Sequence, residues 1–237
     1  MTIDDSSFSA VDAEPAAARI EDLRTQIGIA VKPRLRGWLH FGAGPLAFVL
    51  GLVLLVITPE PGLRLAVAIY LATTVLLFSV SASYHLGAGG KRTNAALNRL
   101  DHANIYLFIA GSYTPFAAAL TDRRLGWIML ILVWTIALVG VAVRVWWWTA
   151  PRWLVVGSYL ALGWVSLFFL PAVYSAFGAT VVLLLLLGGL LYSIGGVVFA
   201  RRRPDPYPDW FGFHEVFHAF TIVAFLVQYA AIFMVVT

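Results

Sequence analysis

Seven apolar runs of roughly membrane-spanning length divide this chain of 237 residues. A helix needs about 20 predominantly apolar residues to cross a bilayer. The runs cover residues 38–57, 65–85, 101–120, 125–145, 153–170, 175–200 and 213–236. They predict an all-α integral membrane protein, with a bundle of seven transmembrane helices within residues 31–237.

The boundary between the fifth and sixth runs is the weakest, because only residues 171–174 separate them. A six-helix bundle, in which one of these two runs enters the membrane and returns to the same side, is the alternative. The glycine pairs at 188–189 and 195–196 favour close packing of the sixth run, since small residues let helix backbones approach.

The basic residues predict the orientation of the bundle. Thirteen Lys and Arg residues lie in the amino-terminal tail and in the loops after the second, fourth and sixth runs, against Arg64, Arg123 and Arg124 on the other side. Loops rich in Lys and Arg stay in the cytoplasm. We therefore expect a cytoplasmic amino terminus and, with seven spans, a carboxyl terminus outside.

Composition restricts the partners and the ligand chemistry. Only 12% of the residues are charged, about half the usual share of a soluble domain, so membrane lipids are the expected surroundings. The net charge of +4 describes a basic rim that suits anionic headgroups. Nucleic acid is not an expected partner, because no soluble basic domain is predicted to carry it. Cysteine is absent, so a metal would need histidine and oxygen ligands.

The first 30 residues have a different character from the rest. They hold half of the twelve acidic residues, which predicts a partly disordered cytoplasmic tail with a short surface helix over 16–29. They lack a basic start and an apolar core, so we do not expect a signal peptide.

All five histidines fall at run ends that the predicted orientation places on the cytoplasmic side. They are His40, His85, His102, His214 and His218. Ser81 and His85 are four residues apart, as are His214 and His218, and residues at this spacing share one helix face. Asp101, in the first turn of the third run, reaches the same layer. Three separate runs thus bring imidazoles and a carboxylate to one depth.

This combination predicts a zinc site with catalytic potential. Three neutral imidazoles, from His85, His214 and His218, leave one zinc position open for water, and zinc can lower the pKa of that water to about 7. Asp101 would act as general base and return the proton to a leaving group. Ser81 would donate a hydrogen bond to the water or to a developing oxyanion.

Simpler interpretations exist for each residue. A histidine at a helix end is often an interfacial residue, and serine often bonds the carbonyl four residues back in its own helix. Glu215 lies about 100° around the helix from His214, so we expect it beside the site rather than among the ligands. His102 is turned similarly from Asp101. His40 is compatible with either role.

The motifs resemble the hemolysin III branch of the progestin and adiponectin receptor family over nearly the whole chain after the tail. They are Ser81-x-x-x-His85, Leu100-Asp101-His102-Ala-Asn104-Ile-Tyr106, Ala110-Gly111-Ser112-Tyr113-Thr114-Pro115-Phe116 and His214-x-x-x-His218. The resemblance implies a seven-helix bundle of the bacterial plasma (inner) membrane, with zinc on the three histidines and with Ser81 and Asp101 near the metal water. The family usually opens span one with glutamate, asparagine and a Thr-His pair. This chain keeps His40 but has Pro33, Arg36 and Leu39 upstream.

The family looks related to alkaline ceramidases, which implies a zinc-dependent hydrolase of lipid amide or ester bonds with a small lipid as substrate. One alternative is a non-enzymatic membrane-homeostasis sensor or receptor-like protein, with a structural zinc and a lipid ligand. Another is the cytolysin that the family name implies. It is the least favoured, because no export signal is expected and the sixth run has almost no polar face to line water.

Overall fold

The computed structural model describes residues 33–87, 89–147, 149–207 and 209–237. The predicted disordered tail and surface helix within residues 1–30 lie outside these ranges. In the described part of the chain the regular structure is helical, apart from an isolated bridge between Tyr207 and Phe211. The predicted all-α class is therefore confirmed there.

The helices follow the predicted runs closely at both ends of the chain. They are α1 (Trp38–Ile57), α2 (Pro61–Leu86), α3 (Lys91–Ala119), α4 (Arg123–Trp146), α5 (Arg152–Trp164), a short 3₁₀ helix (Val165–Phe169), α6 (Leu170–Arg201) and α7 (Phe213–Val236). The bounds of α1 and α7 are those predicted. Helix α3 begins at Lys91 instead of Asp101, because its first turns are polar and an apolar run does not reveal them.

Five helical stretches of the described chain are long and apolar enough to cross a membrane. They are α1, α2, α4, α7 and the continuous stretch Arg152–Arg201, which contains α5 and α6. Helix α3 is long enough, with 29 residues, but it carries the polar residues Asp101, His102 and Asn104 and is not one of the five.

The chain turns back on itself inside α6, at Gly178. This residue has φ 80° and ψ −178°, a conformation essentially restricted to glycine. Contacts pair the two sides of the turn in antiparallel order: Trp164 Nε1 donates to Ser193 Oγ at 3.0 Å, and a Cβ on Gly196 would lie 3.3 Å from Val156 Cγ1. The reversal is therefore at Gly178, and the predicted boundary at 171–174 is wrong. Pro171 is in the first turn of α6, where a proline is compatible with a helix.

One end of the bundle gathers the starts of α1, α3, α5 and α7 and the ends of α2, α4 and α6. Side-chain contacts join several of these helices there. Tyr159 of α5 donates its hydroxyl proton to the carbonyl of His102 in α3 at 2.8 Å, and Phe199 of α6 packs edge-on against His214 of α7, with ring centroids 5.5 Å apart. We call this the histidine end, since all five histidines lie there.

Candidate metal centre

Three of the histidines form a compact cluster at the histidine end. His85 comes from the last turn of α2, and His214 and His218 come from the first two turns of α7. One ring nitrogen from each lies within 4.8 Å of the other two, and Nε2 of His85 is 3.1 Å from Nε2 of His214. Within the described ranges, these are the only three His, Cys, Asp or Glu residues whose donor atoms converge in this way.

Local structure explains why α7 presents both of its histidines to α2. The helix begins immediately after Gly212, whose N–H donates to Oε2 of Glu215 at 2.9 Å. This hydrogen bond satisfies one of the free amides at the helix start. With the first turn fixed, the spacing of four puts His214 and His218 on one face.

The donor set fits a divalent metal ion. Two nitrogens bound to one tetrahedral zinc at about 2.0–2.1 Å would lie about 3.3 Å apart, close to the 3.1 Å between His85 and His214. The three donors are imidazoles, which zinc accepts readily. His85 and His218 are buried and His214 is partly buried, so their arrangement depends on helix packing. The cluster can therefore hold a metal ion through His85, His214 and His218.

Asp101 lies next to this cluster. Its Oδ2 is 3.7 Å from His85 Nε2 and 3.9 Å from His102 Nδ1, and Ser81 lines the same end of the cavity. Asp101 was expected in the first turn of its helix, which is wrong, because α3 starts ten residues earlier at Lys91. The additional turns of α3 fix the backbone of Asp101 from both sides, as in a helix interior.

Ser81 links Asp101 to His40, whose role the sequence left undecided. Nδ1 of His40 lies 2.8 Å from Ser81 Oγ. An ionised Asp101 would accept a hydrogen bond from the Ser81 hydroxyl, which would then accept one from Nδ1–H of His40. The His40 ring also stacks on His218, with centroids 3.7 Å apart and an interplanar angle of 8°. His40 thus supports both Ser81 and His218.

The two remaining candidates lie beside the cluster. His102 turns back to its own helix, where Nδ1 is 3.0 Å from the carbonyl oxygen of Asn98. Glu215 is completely buried, and its Oε1 accepts a charged hydrogen bond of 2.9 Å from Nε of Arg36. Sequence reasoning did not find this pair or the His40–Ser81 contact, since hydropathy does not identify partners across helices.

A deep cavity opens from the cluster into the bundle. Its volume is about 170 Å³, and most of its lining is apolar. At the histidine end it is lined by His40, Ser81, Asp101, His102, His214 and His218, and farther in by Ile105, Phe108, Phe116, Met129, Val173 and Gln228 among others. Asp101 and Phe116 are 15 residues apart in α3, which corresponds to about 22 Å along the helix axis. The cavity therefore extends through much of the helical bundle.

Comparison with known proteins identifies the family. Residues 29–229 match the family described as haemolysin-III related. The hemolysin-3 homolog of Bacillus subtilis (strain 168) is 29% identical over 151 residues, 63% of this chain and 67% of that protein. Hemolysin-3 of Bacillus cereus is 28% identical over 187 residues, 76% of this chain and 84% of that protein. These relatives and the five apolar helices indicate a multi-pass membrane protein. The family match covers most of the chain, which therefore belongs to the haemolysin-III related family, the hemolysin III branch of the progestin and adiponectin receptor family that its motifs predict.

Proposed function

We propose that this protein is a zinc-dependent hydrolase of lipid amide or ester bonds. One observation carries the proposal: three imidazole nitrogens within 4.8 Å of one another lie beside an acid and a serine at the polar end of a long apolar cavity. A lipid whose acyl chain fills this cavity would have the bond next to its headgroup at the histidine end.

The chain's own residues have distinct roles in this proposal. His85, His214 and His218 hold the zinc, which when bound polarises a carbonyl and lowers the pKa of a water molecule. Asp101 accepts a proton from the attacking water and returns it to the leaving group. Ser81 keeps the Asp101 carboxylate oriented, and His40 fixes the hydroxyl of Ser81 through their contact of 2.8 Å.

The apolar cavity supplies binding energy away from the reacting bond. Burial of an acyl chain contributes about 0.8 kcal/mol for each methylene group. Aromatic and aliphatic side chains such as Phe108, Phe116 and Met129 line its deep part. This lining suits a hydrocarbon chain, and it supports a small lipid as the substrate.

The proposed topology has seven passes, with the histidine end facing the cytoplasm. Helices α1 to α4 and α7 supply five passes, and the two limbs that meet at Gly178 supply two. The predicted cytoplasmic side carries thirteen basic residues against three, which supports this orientation in a bacterial inner membrane. The three-histidine cluster and Asp101 would then lie at the depth of the inner leaflet.

Turnover tests the hydrolase directly. Purified protein loaded with zinc is incubated with micelles containing ceramide or phospholipid, and released fatty acid is measured by mass spectrometry. We expect release from at least one lipid class. Absence of release from both classes would count against the hydrolase and favour a non-enzymatic sensor with a structural zinc.

Partial filling of the cavity tests where the acyl chain binds. Ile105 lines the cavity four residues beyond Asp101 in α3, and Ile105→Trp would place a large ring in the path of the chain. We expect about a tenfold loss of kcat/KM for a long-chain substrate, which corresponds to about 1.4 kcal/mol, and a smaller loss for a short-chain one. Kinetics with acyl chains of two lengths measure the difference.

The matched control for this variant is Ile128→Trp. Ile128 is 46% exposed on α4 and does not line the cavity, so this change should leave both rates unaltered. Equal losses for the two chain lengths in Ile105→Trp would contradict acyl binding along the cavity.

A non-enzymatic sensor with a structural zinc is the second candidate. The observation in its favour is that the cluster joins α2 to α7, although α2 packs mainly on α1 and α3. A metal ion there would fasten two helices together, and a lipid in the cavity would change how they pack. Both candidates require zinc, so only turnover separates them.

A further inference from the structure

A short strap, residues 33–37, lies across the histidine end just before α1. Two of its amides donate to the loop before α7: Arg34 N to Asp209 O at 2.9 Å and Leu35 N to Trp210 O at 3.2 Å. The Arg34 guanidinium also lies over the Trp210 ring, 4.6 Å from its centroid. The strap is therefore held to the segment that positions His214.

The strap also touches the cluster itself. Gly37 has φ +91°, and a Cβ at this position would lie 2.9 Å from His85 Cβ. No other residue type fits there without strain, so the strap backbone packs directly on a predicted ligand. The strap thus covers the cluster from the side of the α6–α7 loop.

A partly buried ion pair fastens the strap. Arg36 Nε donates to Glu215 Oε1 at 2.9 Å, and the Glu215 side chain is 1% exposed. The other carboxylate oxygen of Glu215 accepts the Gly212 N–H, so one side chain ties the strap, the loop and the start of α7 together. The pair also neutralises Arg36, whose positive charge would otherwise oppose a cation bound at the cluster.

From these contacts we infer that the Arg36–Glu215 pair is a latch that keeps the strap closed over the histidine cluster and slows exchange of its metal ion with the aqueous phase. The inference rests on the proposed zinc site. Arg36 and Glu215 do not line the cavity, so they act as positioning residues through His214. Opening of the latch would expose the cluster without removing any proposed ligand.

Zinc exchange in the double variant Arg36→Gln/Glu215→Gln tests the latch. Both charges are removed together, so no buried charge is left without a partner, which is the costly outcome of a single substitution. A latch that restricts access slows entry and exit of the ion alike. We therefore expect zinc loss to a chelator and zinc uptake by the metal-free protein both to accelerate, by about tenfold for about 1.4 kcal/mol of lost latch stability. The control, Arg124→Gln/Asp122→Asn, removes two exposed charges at the opposite end of the bundle and should exchange zinc at the wild-type rate.

Strap opening has its own measurement, which does not depend on metal. The chain has no cysteine, so Pro33→Cys introduces a single thiol at a buried strap position. A water-soluble maleimide should label it faster in the double-variant background, by about tenfold if the strap opens about 1.4 kcal/mol more easily. Leu35→Cys, at a position already 39% exposed, should label at one rate in both backgrounds.

The outcomes separate the latch from the proposed function. Equal labelling of Pro33→Cys in the two backgrounds would overturn the latch. Faster labelling with unchanged zinc exchange would overturn its role in metal exchange. A wild-type protein that takes up no zinc would overturn the proposed function, and the labelling rates would then decide the latch alone.

Discussion

Substitution of His85 by alanine should reduce zinc from about one ion per chain to almost none, the largest effect that we expect of any single change. Three imidazoles are a typical protein ligand set for a catalytic zinc. His85 is the only one of the three on α2, so its loss leaves two ligands on a single helix. Metal analysis of detergent-purified protein by mass spectrometry measures the change.

The matched control is His102→Ala. His102 belongs to the same end of the bundle, but its ring turns to the carbonyl of Asn98 and is not part of the three-histidine cluster. This variant should keep its zinc. A wild-type protein without zinc, or zinc retained in full by His85→Ala, would contradict the metal centre.

The parts of this structure that sequence could predict depend on local periodicity. Hydropathy placed α1 and α7 at their observed bounds, because in these two helices the apolar run extends over nearly the whole helix. The spacing of four in Ser81 to His85 and in His214 to His218 predicted which side chains share a face. A charge count then predicted that these faces meet at one depth, and His85, Asp101 and His214 do lie together.

The remaining features depend on contacts between distant segments. Hydropathy did not reveal the polar start of α3 or the turn at Gly178, where a backbone conformation reverses the chain within one apolar stretch. Nor does a pattern along one helix reveal that Glu215 meets Arg36, 179 residues earlier. Such pairs are fixed by the rotation of each helix and by its neighbours, which packing determines.

Helix rotation also explains why adjacent residues differ in role in two pairs, His214 with Glu215 and Asp101 with His102. Adjacent helix residues are turned by about 100° from each other. His214 therefore faces His85, whereas Glu215 faces the strap and pairs with Arg36. The same rule separates Asp101, which faces Ser81 and His85, from His102, whose ring returns to its own helix. In each pair, one residue therefore faces the histidine cluster, and its neighbour in the helix makes contacts beside it.

Conversion of Asp101 to asparagine should lower lipid hydrolysis about 10²- to 10⁴-fold, the usual contribution of a general acid or base, while zinc content stays at the wild-type level. The amide keeps the shape of the side chain but cannot accept a proton from water, and Asp101 is not one of the three clustered metal donors. Fatty acid release and zinc content are measured on the same preparation. Asp122→Asn is the control, since Asp122 only caps α4 and asparagine caps equally well. Full activity in Asp101→Asn would show that another group moves the proton.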